Sequence, residues 1–358
     1  MKESGRKKPQ GGDVQSRRGS VWSLVFKIVV PLVVTVLLCY VLFAKQDVGE
    51  MVSIIRTECN YWWIVVALVL SIFSHVFRAM RWRIQLKAIG VDAPLFTVVL
   101  SIFGTYAVNL VLPRLGELWR TGYISQREHA PFDSVFGSMV ADRLADTITV
   151  ALLTLATLIF AGGPLVDFLR ENGAEGTLDG LIALATSPWT IIAVAGFVAI
   201  VAGALIFFRH TPVVASICRF MLGIWHGFAA IATMKGRGRW LVLTVCVWGC
   251  YFLQLYVAFF AFPLTGQVVA DYGAGAVAVC FVLSSIAMVV PSNGGIGPWQ
   301  LAVMFGLSVY SAGIEGLTRD YAASFANLVL GSQTLLLVLL GIFTFVCIAI
   351  QKRNDRKC

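Results

Sequence analysis

Charged side chains are scarce in this sequence. Only 13% of its 358 residues are Asp, Glu, Lys or Arg, and 19 of them are acidic, whereas 58% of the residues are hydrophobic. A soluble domain usually carries about 25% charged residues, because its surface faces water. Apolar stretches of 18 or more residues recur, and each is long enough to cross a bilayer as a helix. The composition therefore excludes a soluble globular protein and predicts an all-α polytopic membrane protein.

Patterns typical of catalysis and of metal binding are also missing. None of the four histidines stands at the spacing of a metal site or of a Ser/His/Asp arrangement. Most of the eight cysteines fall in apolar runs, where a buried and inert thiol is the expected state. The Gly-rich segments lack the lysine of a phosphate loop, which speaks against ATP binding. We therefore expect a protein that is not an enzyme and that needs no cofactor and no metal.

Positive charge is in excess, with a formal net charge of +9. The basic residues lie in short loops and tails beside apolar runs, and no nucleic-acid-binding motif accompanies them. This placement is the positive-inside pattern, and it predicts membrane lipids with anionic head groups as partners rather than nucleic acid. It also predicts that both termini are cytoplasmic. The oligomeric state is left open, with a homo-oligomer among the alternatives.

The apolar runs divide the chain into one transmembrane domain, 21–350, between a disordered basic tail, 1–20, and a short cytoplasmic tail, 351–358. Six runs are predicted to be full spans, at 21–43, 61–78, 134–161, 188–208, 240–262 and 321–350. The amphipathic stretch 213–234 predicts a cytoplasmic helix lying on the membrane surface, with a shallow membrane helix as the alternative.

One apolar run is broken by residues that a membrane helix does not tolerate well. The sequence 109–120 reads NLVLPRLGELWR, in which Pro113 removes a backbone donor and Arg114 and Glu117 bring charge to membrane depth. The loop at 78–87 is basic and should be cytoplasmic, whereas the loop at 162–187 is acidic and should lie outside. Two apolar runs, 95–112 and 134–161, lie between these loops. If both were full spans, the two loops would lie on the same side of the membrane, so one run must turn back. We therefore predict a re-entrant hairpin over about 95–126.

A second break, 291–298, predicts a matching hairpin over about 274–312. Its two apolar runs are short for full spans, which favours the hairpin over a pair of spanning helices. The loop parity has this hairpin enter from the opposite face. Two hairpins of this kind are typical of an inverted repeat, in which the binding site lies where the halves meet.

The charged residues of this region are the candidates for a substrate site. An arginine fork on Arg114 or Arg120 suits the oxygens of a lipid phosphate, and Glu117 on the same helix face would orient an arginine. The alternative is an ion-pair network that only makes the hairpin tolerable in the membrane. The full set of candidates is Asn109, Arg114, Glu117, Arg120, Arg78, Arg81, Asp142, Arg143, Asp146, Asn293, Gly294 and Gly295.

Several of these residues have simpler interpretations beside the functional one. Arg78 and Arg81 are expected to be anchors that extend towards the cytoplasmic surface, with a place in the site as the alternative. Asp142 and Asp146 share a face of their helix and fit a partner for the hairpin arginines, a proton-coupled carboxylate, or an interfacial ion pair near the cytoplasmic surface. His75 is expected to be a hydrogen-bonded structural residue.

Four segments taken in order resemble a known family. They are RAMRWR at 78–83, the hairpin motif at 109–120, DRLAD at 142–146 and the Gly-rich break at 291–297. Together they resemble the flippase-like membrane region of lysylphosphatidylglycerol synthases over nearly the whole chain. The sequence departs from the family at Asp142, where a glutamate is expected, and at Ser292 and Asn293, where Pro or Gly is more usual.

The resemblance implies a stand-alone member without the soluble synthase domain, placed in a bacterial inner membrane. It implies movement of an anionic or aminoacylated phospholipid, or of a polyprenyl-linked lipid, between the two leaflets. The alternatives are a membrane-embedded lipid-modifying transferase or its accessory subunit, and a structural or partner-binding membrane protein.

Overall fold

The computed structural model describes residues 47–171, 234–290 and 292–355, together with the single positions 187 and 196. This part of the chain is helical and contains no strand, so the predicted all-α class is confirmed. The helices are α1 Val48–Glu58, α2 Tyr61–Ala88, α3 Leu95–Val111, α4 Gly116–Arg127, α5 Phe132–Ala161, α6 Gly163–Glu171, α7 Arg237–Phe259, α8 Pro263–Ala287, α9 Pro298–Ser308 and α10 Arg319–Asp355. The predicted tail 1–20, spans 21–43 and 188–208, and interfacial helix 213–234 lie outside the described residues.

Five of the described helices, α2, α5, α7, α8 and α10, are long and apolar enough to cross a membrane. Four of them correspond to predicted spans, and each of these is a single helix. The fifth, α8, begins at Pro263, whereas the sequence predicted an apolar run from Ala274. Gly273 breaks α8 with φ 70° and ψ −168°. The part after the break, 274–287, is about 21 Å long and therefore shorter than a typical hydrocarbon core of about 30 Å.

Two stretches that the sequence suggested as loops contain short helices. The loop after the first predicted span holds α1, whose first turn is capped because the Asp47 side chain accepts hydrogen bonds from the backbone of Gly49 and Glu50. The acidic loop 162–187 begins with α6. Both helices bury an apolar side chain, Met51 in α1 and Leu165 in α6, against the same core. Tertiary packing therefore stabilises helices that are too short to be marked by a long periodic pattern.

Helices α3 and α4 form the first hairpin. The start of α3 and the end of α4 lie at the same end of the bundle. Val98 near the start of α3 and Ile124 near the end of α4 belong to one buried cluster with Leu86 of α2. The turn between the limbs covers 112–115, where Gly116 allows close approach to α3. At 17 residues, α3 is about 25 Å long, which is short for a full span.

The second part of α8 and helix α9 form the second hairpin, which comes from the opposite end of the bundle. Its return limb brings Tyr310 back to Tyr272, next to the break in α8, with a ring-centroid distance of 4.7 Å. The tips of the two hairpins meet: Arg114 Nη2 donates to the carbonyl oxygen of Val289 at 2.5 Å, and Gly294, with φ 62°, lies against Leu110. The hairpins therefore approach each other tip to tip, and their re-entry into a membrane stays a prediction.

The two halves of the described bundle contain the same series of elements, and the hairpin of each half packs against a helix of the other half. Within the described residues, each half contains a span, a hairpin and a second span: α2, α3–α4 and α5 in the first half, and α7, α8–α9 and α10 in the second. The two leading spans α2 and α7 pack against each other, the first hairpin packs through α3 on α10, and the second packs through α8 on α5. In the second half, Gln300 Nε2 donates to Asn327 Oδ1 at 2.6 Å, an interhelical hydrogen bond between α9 and α10. This exchange of partners is what an inverted repeat produces.

Candidate functional site

Five charged side chains from three helices converge in the interior of the first half. Arg78 and Arg81 come from α2, Arg120 from α4, and Asp142 and Asp146 from α5; none has a relative exposure above 8%. The spacings of three and four residues place the members of each pair on one helix face. We refer to these five residues as the buried ionic cluster.

The arginines of α2 hold both aspartates of α5. Arg81 Nη2 donates to Asp142 Oδ1 at 2.6 Å and to Asp146 Oδ1 at 2.8 Å. Arg78 Nη1 donates to Asp146 Oδ2 at 2.5 Å and lies 3.8 Å from Asp142 Oδ2. The interpretation of Arg78 and Arg81 as surface-reaching anchors is therefore wrong, because both guanidinium groups point into the bundle, where carboxylates compensate their charge.

A second, partly exposed ion pair lies between this cluster and the first hairpin. Arg143 Nη2 is 3.4 Å from Glu117 Oε1, and Arg143 Nη1 is 3.9 Å from Asp146 Oδ2. Asn109 Nδ2 donates to Glu117 at 3.3 Å, while Asn109 Oδ1 accepts from the backbone of Gly116 at 2.8 Å. Glu117 thus contacts an arginine of another helix, Arg143 of α5, and not Arg114 or Arg120 as the spacing suggested; Arg114 lies in the turn before α4. We refer to Glu117 and Arg143 as the rim pair.

Arg120 is the member of the buried ionic cluster with the fewest bonds. Its side chain is fully buried, its guanidinium carbon lies 4.4 Å from the ring centroid of Trp82, and its Nη2 is 3.5 Å from Asp142 Oδ2. None of its three nitrogens makes a hydrogen bond. A buried guanidinium without hydrogen bonds is costly, so an acceptor that reaches it would be held strongly.

Neutral side chains that sequence reasoning missed surround the buried ionic cluster. Gln85 is fully buried. In the amide orientation that satisfies both of its polar atoms, its nitrogen donates to Asp142 Oδ1 at 3.3 Å and its oxygen accepts from Trp240 Nε1 at 3.1 Å. Trp82 Nε1 donates to Ser138 Oγ at 3.1 Å, and Tyr251 Oη accepts from Arg78 Nε at 3.3 Å. A signal for part of this set is present in the sequence: positions 78, 81, 82 and 85 form one helical stripe.

His75 differs from its expected state. It is buried one turn before Arg78, and neither of its ring nitrogens has a hydrogen-bond partner. Its ring packs against Tyr106 with a centroid distance of 4.4 Å, and Tyr106 Oη lies 3.2 Å from Tyr251 Oη. The prediction of a hydrogen-bonded histidine is wrong, because aromatic packing rather than a polar partner fixes its ring.

The remaining candidates lie at the contact between the hairpin tips. Arg114 is exposed, has φ 61° and reaches the second hairpin at Val289. Asn293, Gly294 and Gly295 lie in the turn of that second hairpin. The structure therefore separates the predicted residues into a buried ionic cluster with its rim pair and a contact between tips. In the described part of the chain, no three His, Cys, Asp or Glu side chains come together as a metal site would require.

Membrane-length helices, two opposed hairpins and an ionic cluster inside the bundle define a polytopic membrane protein with an internal polar site. The sequence matches the family of the lysylphosphatidylglycerol synthase TM region over residues 28–341. The chain belongs to this family, and the resemblance drawn from the four segments is confirmed.

Two curated relatives show how this chain relates to other proteins. The chain is 25% identical over 329 residues to Glycosyltransferase AglD of Haloferax volcanii, and this match covers 84% of the chain and 51% of that protein. It is 24% identical over 135 residues to the UPF0104 membrane protein MJ1595 of Methanocaldococcus jannaschii, and this match covers 37% of the chain and 40% of that protein. The matches thus span about half or less of the curated relatives. No solved structure matches the chain.

Proposed function

We propose that this protein is a flippase-like transporter that moves a lipid with a phosphate-bearing head group between leaflets, without ATP hydrolysis and without chemical change to the lipid. The observation that carries this proposal is the pair of opposed hairpins whose tips meet beside the buried ionic cluster. Sites of this kind, between inverted repeats, are reached alternately from the two sides of a membrane in many transporters.

The contacts suggest how access to the site would alternate. The head group would bind at the buried ionic cluster while the acyl chains stay in the surrounding lipid. The tip contact consists of one hydrogen bond at an exposed position, from Arg114 to Val289, worth about 1 kcal/mol, and of the packing of Leu110 against Gly294. A contact of that strength can open and close without unfolding the bundle, whereas the ion pairs of the buried ionic cluster would stay in place.

A lipid-modifying transferase is the second candidate, and the name of the Haloferax volcanii relative favours it. Such an enzyme needs a base or nucleophile that can reach its substrate. Asp142 and Asp146 are each held by arginines of α2, and Glu117 pairs with Arg143. Their engagement supports a binding role over proton transfer, so we propose the transporter first.

Leaflet exchange and head-group chemistry should be measured together on the purified protein in liposomes. We expect exchange of a labelled anionic phospholipid well above that in protein-free vesicles, with the lipid recovered unchanged. Arg120→Gln should slow exchange at least about tenfold, because a lost charged hydrogen bond of about 1.5–3 kcal/mol weakens head-group binding. Lys87→Gln, which removes a charge at the exposed end of α2, is the matched control and should exchange like the wild type. A modified lipid among the products would favour the transferase, and an absence of both exchange and product would overturn the proposal.

The charges at the two ends of the bundle favour one orientation. The start of α2 contacts the end of α7 through the hydrogen bond from Asn60 to Ala261, so these helices are antiparallel. Tyr321, at the start of α10, donates to Glu58, so the end of α10 lies at the other end of the bundle. Among the described residues, the basic side chains near that other end are Arg83, Lys87, Arg127, Lys235, Arg237, Arg239, Lys352 and Arg353. We propose that it faces the cytoplasm of a bacterial inner membrane.

Cysteine labelling tests this orientation. In a cysteine-free background, Gln126→Cys should react only from the cytoplasmic side and Asp271→Cys only from the opposite side, because both residues are exposed at opposite ends of the bundle. Leu152→Cys is the control: its side chain is 62% exposed in the isolated protein but would face lipid, so it should stay unlabelled from either side. Labelling of Gln126→Cys and Asp271→Cys from one side would contradict the orientation and the course of the helices.

A further inference from the structure

We infer that the site takes a phosphodiester group with a single negative charge and discriminates against head groups of other net charge. This inference rests on the proposed function and narrows its substrate class. The buried ionic cluster contains three guanidinium groups and two carboxylates, so one positive charge is in surplus. The rim pair adds one charge of each sign and leaves this surplus unchanged.

The surplus charge belongs to Arg120. Arg78 and Arg81 donate short hydrogen bonds to the two aspartates, whereas Arg120 donates none and lies 3.5 Å from a carboxylate oxygen that Arg78 also approaches. Trp82 covers one face of its guanidinium. The N–H groups point along the plane of the guanidinium, so they suit the two free oxygens of a phosphodiester.

The buried position of the surplus charge makes the site selective for net charge. In a region of low dielectric constant, a complex with no net charge is favoured over one that keeps an unpaired charge. A monoanionic phosphodiester makes the cluster neutral. A phosphomonoester with two negative charges leaves a negative charge behind, a zwitterionic head group leaves the positive charge in place, and a head group with a net positive charge adds to it.

The lipid form of the phosphodiester is favoured over a soluble one by the location of the site. The helices that supply the cluster are long and apolar, and α5 exposes large apolar side chains over much of its second half, among them Leu152, Leu155, Ile159 and Phe160. Acyl chains of a bound lipid can therefore lie against α5 while its head group occupies the cluster.

Binding should be measured on the purified full chain in detergent, from the ligand-dependent shift of its melting temperature. The probes are short-chain phosphatidylglycerol, phosphatidylcholine and lysylphosphatidylglycerol, short-chain phosphatidic acid at a pH well above its second ionisation, and a soluble glycerol phosphodiester without acyl chains. We expect phosphatidylglycerol to bind at least about tenfold more tightly than the three lipids of other net charge, because an unmatched buried charge costs more than the roughly 1.4 kcal/mol of a tenfold difference. The soluble diester carries the same charge as phosphatidylglycerol and should bind more weakly because it has no acyl chains to lie against α5.

Two variants change the charge balance in opposite directions. Asp142→Asn raises the surplus to two, so phosphatidic acid should become the tightest ligand. Arg120→Gln removes the surplus, so phosphatidylglycerol should lose its advantage over phosphatidylcholine. If Asp142→Asn does not fold, Glu117→Gln raises the surplus at the more exposed rim pair and should shift the order in the same direction.

An unchanged order in the folded variants, or equal binding of phosphatidylglycerol and phosphatidic acid by the wild type, would overturn the inference. Equal binding of the soluble diester would assign the site to a free metabolite instead of a lipid head group. Failure of the transport proposal gives a different result, since the expected order of binding would stand in detergent while liposomes showed no leaflet exchange.

Discussion

Replacing Arg81 with alanine should lower the free energy of unfolding by about 3–5 kcal/mol, the largest loss of stability that we expect from one substitution in the described part of the chain. Arg81 is fully buried and bonds both aspartates of α5, at 2.6 and 2.8 Å. Without it, Asp142 and Asp146 stay buried with less compensating charge. Denaturant titration in mixed micelles, followed by tryptophan fluorescence, measures the loss.

Lys87→Ala is the matched control on the same helix. Its ammonium lies 2.9 Å from Asp92 Oδ1, but the two side chains are 48% and 72% exposed, so their ion pair is worth about 0–1 kcal/mol. The double variant Arg81→Ala with Asp142→Ala should lose less stability than the sum of the two single losses, because it removes a buried charge together with its partner. Equal losses for Arg81→Ala and Lys87→Ala would mean that the buried ionic cluster does not hold α2 and α5 together.

Replacing Gly116 with alanine should destabilise the protein by about 1–3 kcal/mol, although alanine is the better helix former. An added Cβ would overlap the backbone oxygen of Thr105 and lie 2.7 Å from Asn109 Oδ1. The two limbs of the first hairpin would have to separate, and the bond from Gly116 N–H to Asn109 would be lost. Asn109 would then no longer be held in place to donate to Glu117.

Gly122→Ala on the same helix provides the control. A Cβ at this position meets nothing within 4 Å, so the substitution should be neutral or stabilise the protein by about 0.4–1 kcal/mol. In detergent, Gly116→Ala should therefore melt below the wild-type temperature, whereas Gly122→Ala should melt at or above it. If both variants melt at the wild-type temperature, the close contact between α3 and α4 does not form.

The first hairpin could be predicted because its signal is local. A proline, a glycine and charged residues interrupt one apolar run, and lipid does not satisfy the backbone groups that they free. The short helices α1 and α6 could not be predicted in the same way, since burial of Met51 and Leu165 against distant helices stabilises them. The break inside α8 depends on a single residue, Gly273, because its φ of 70° and ψ of −168° are backbone angles that glycine adopts readily and other residues rarely do.

The candidate site was predicted as a set of residues but not as an arrangement. Spacing along a helix identified Asp142 and Asp146 as neighbours, and it also suggested that Glu117 pairs with arginines of its own helix. The structure instead pairs Glu117 with Arg143 of α5. Spacing reports only which side chains share a face, whereas the choice of partner depends on the helix that packs against that face.

The sequence by itself determined the membrane class, the family, the positions of the breaks and the identity of most charged residues in the site, because apolar length, proline and buried charge act locally. Only the tertiary structure decided that Arg78 and Arg81 point inwards, that Arg120 keeps unpaired donors over Trp82, and that Arg114 belongs to the contact between the hairpin tips. The first two outcomes depend on how α2, α4 and α5 pack, since a buried charge is tolerated only where another helix brings its partner. The third depends on the approach of the second hairpin, which brings Val289 to Arg114.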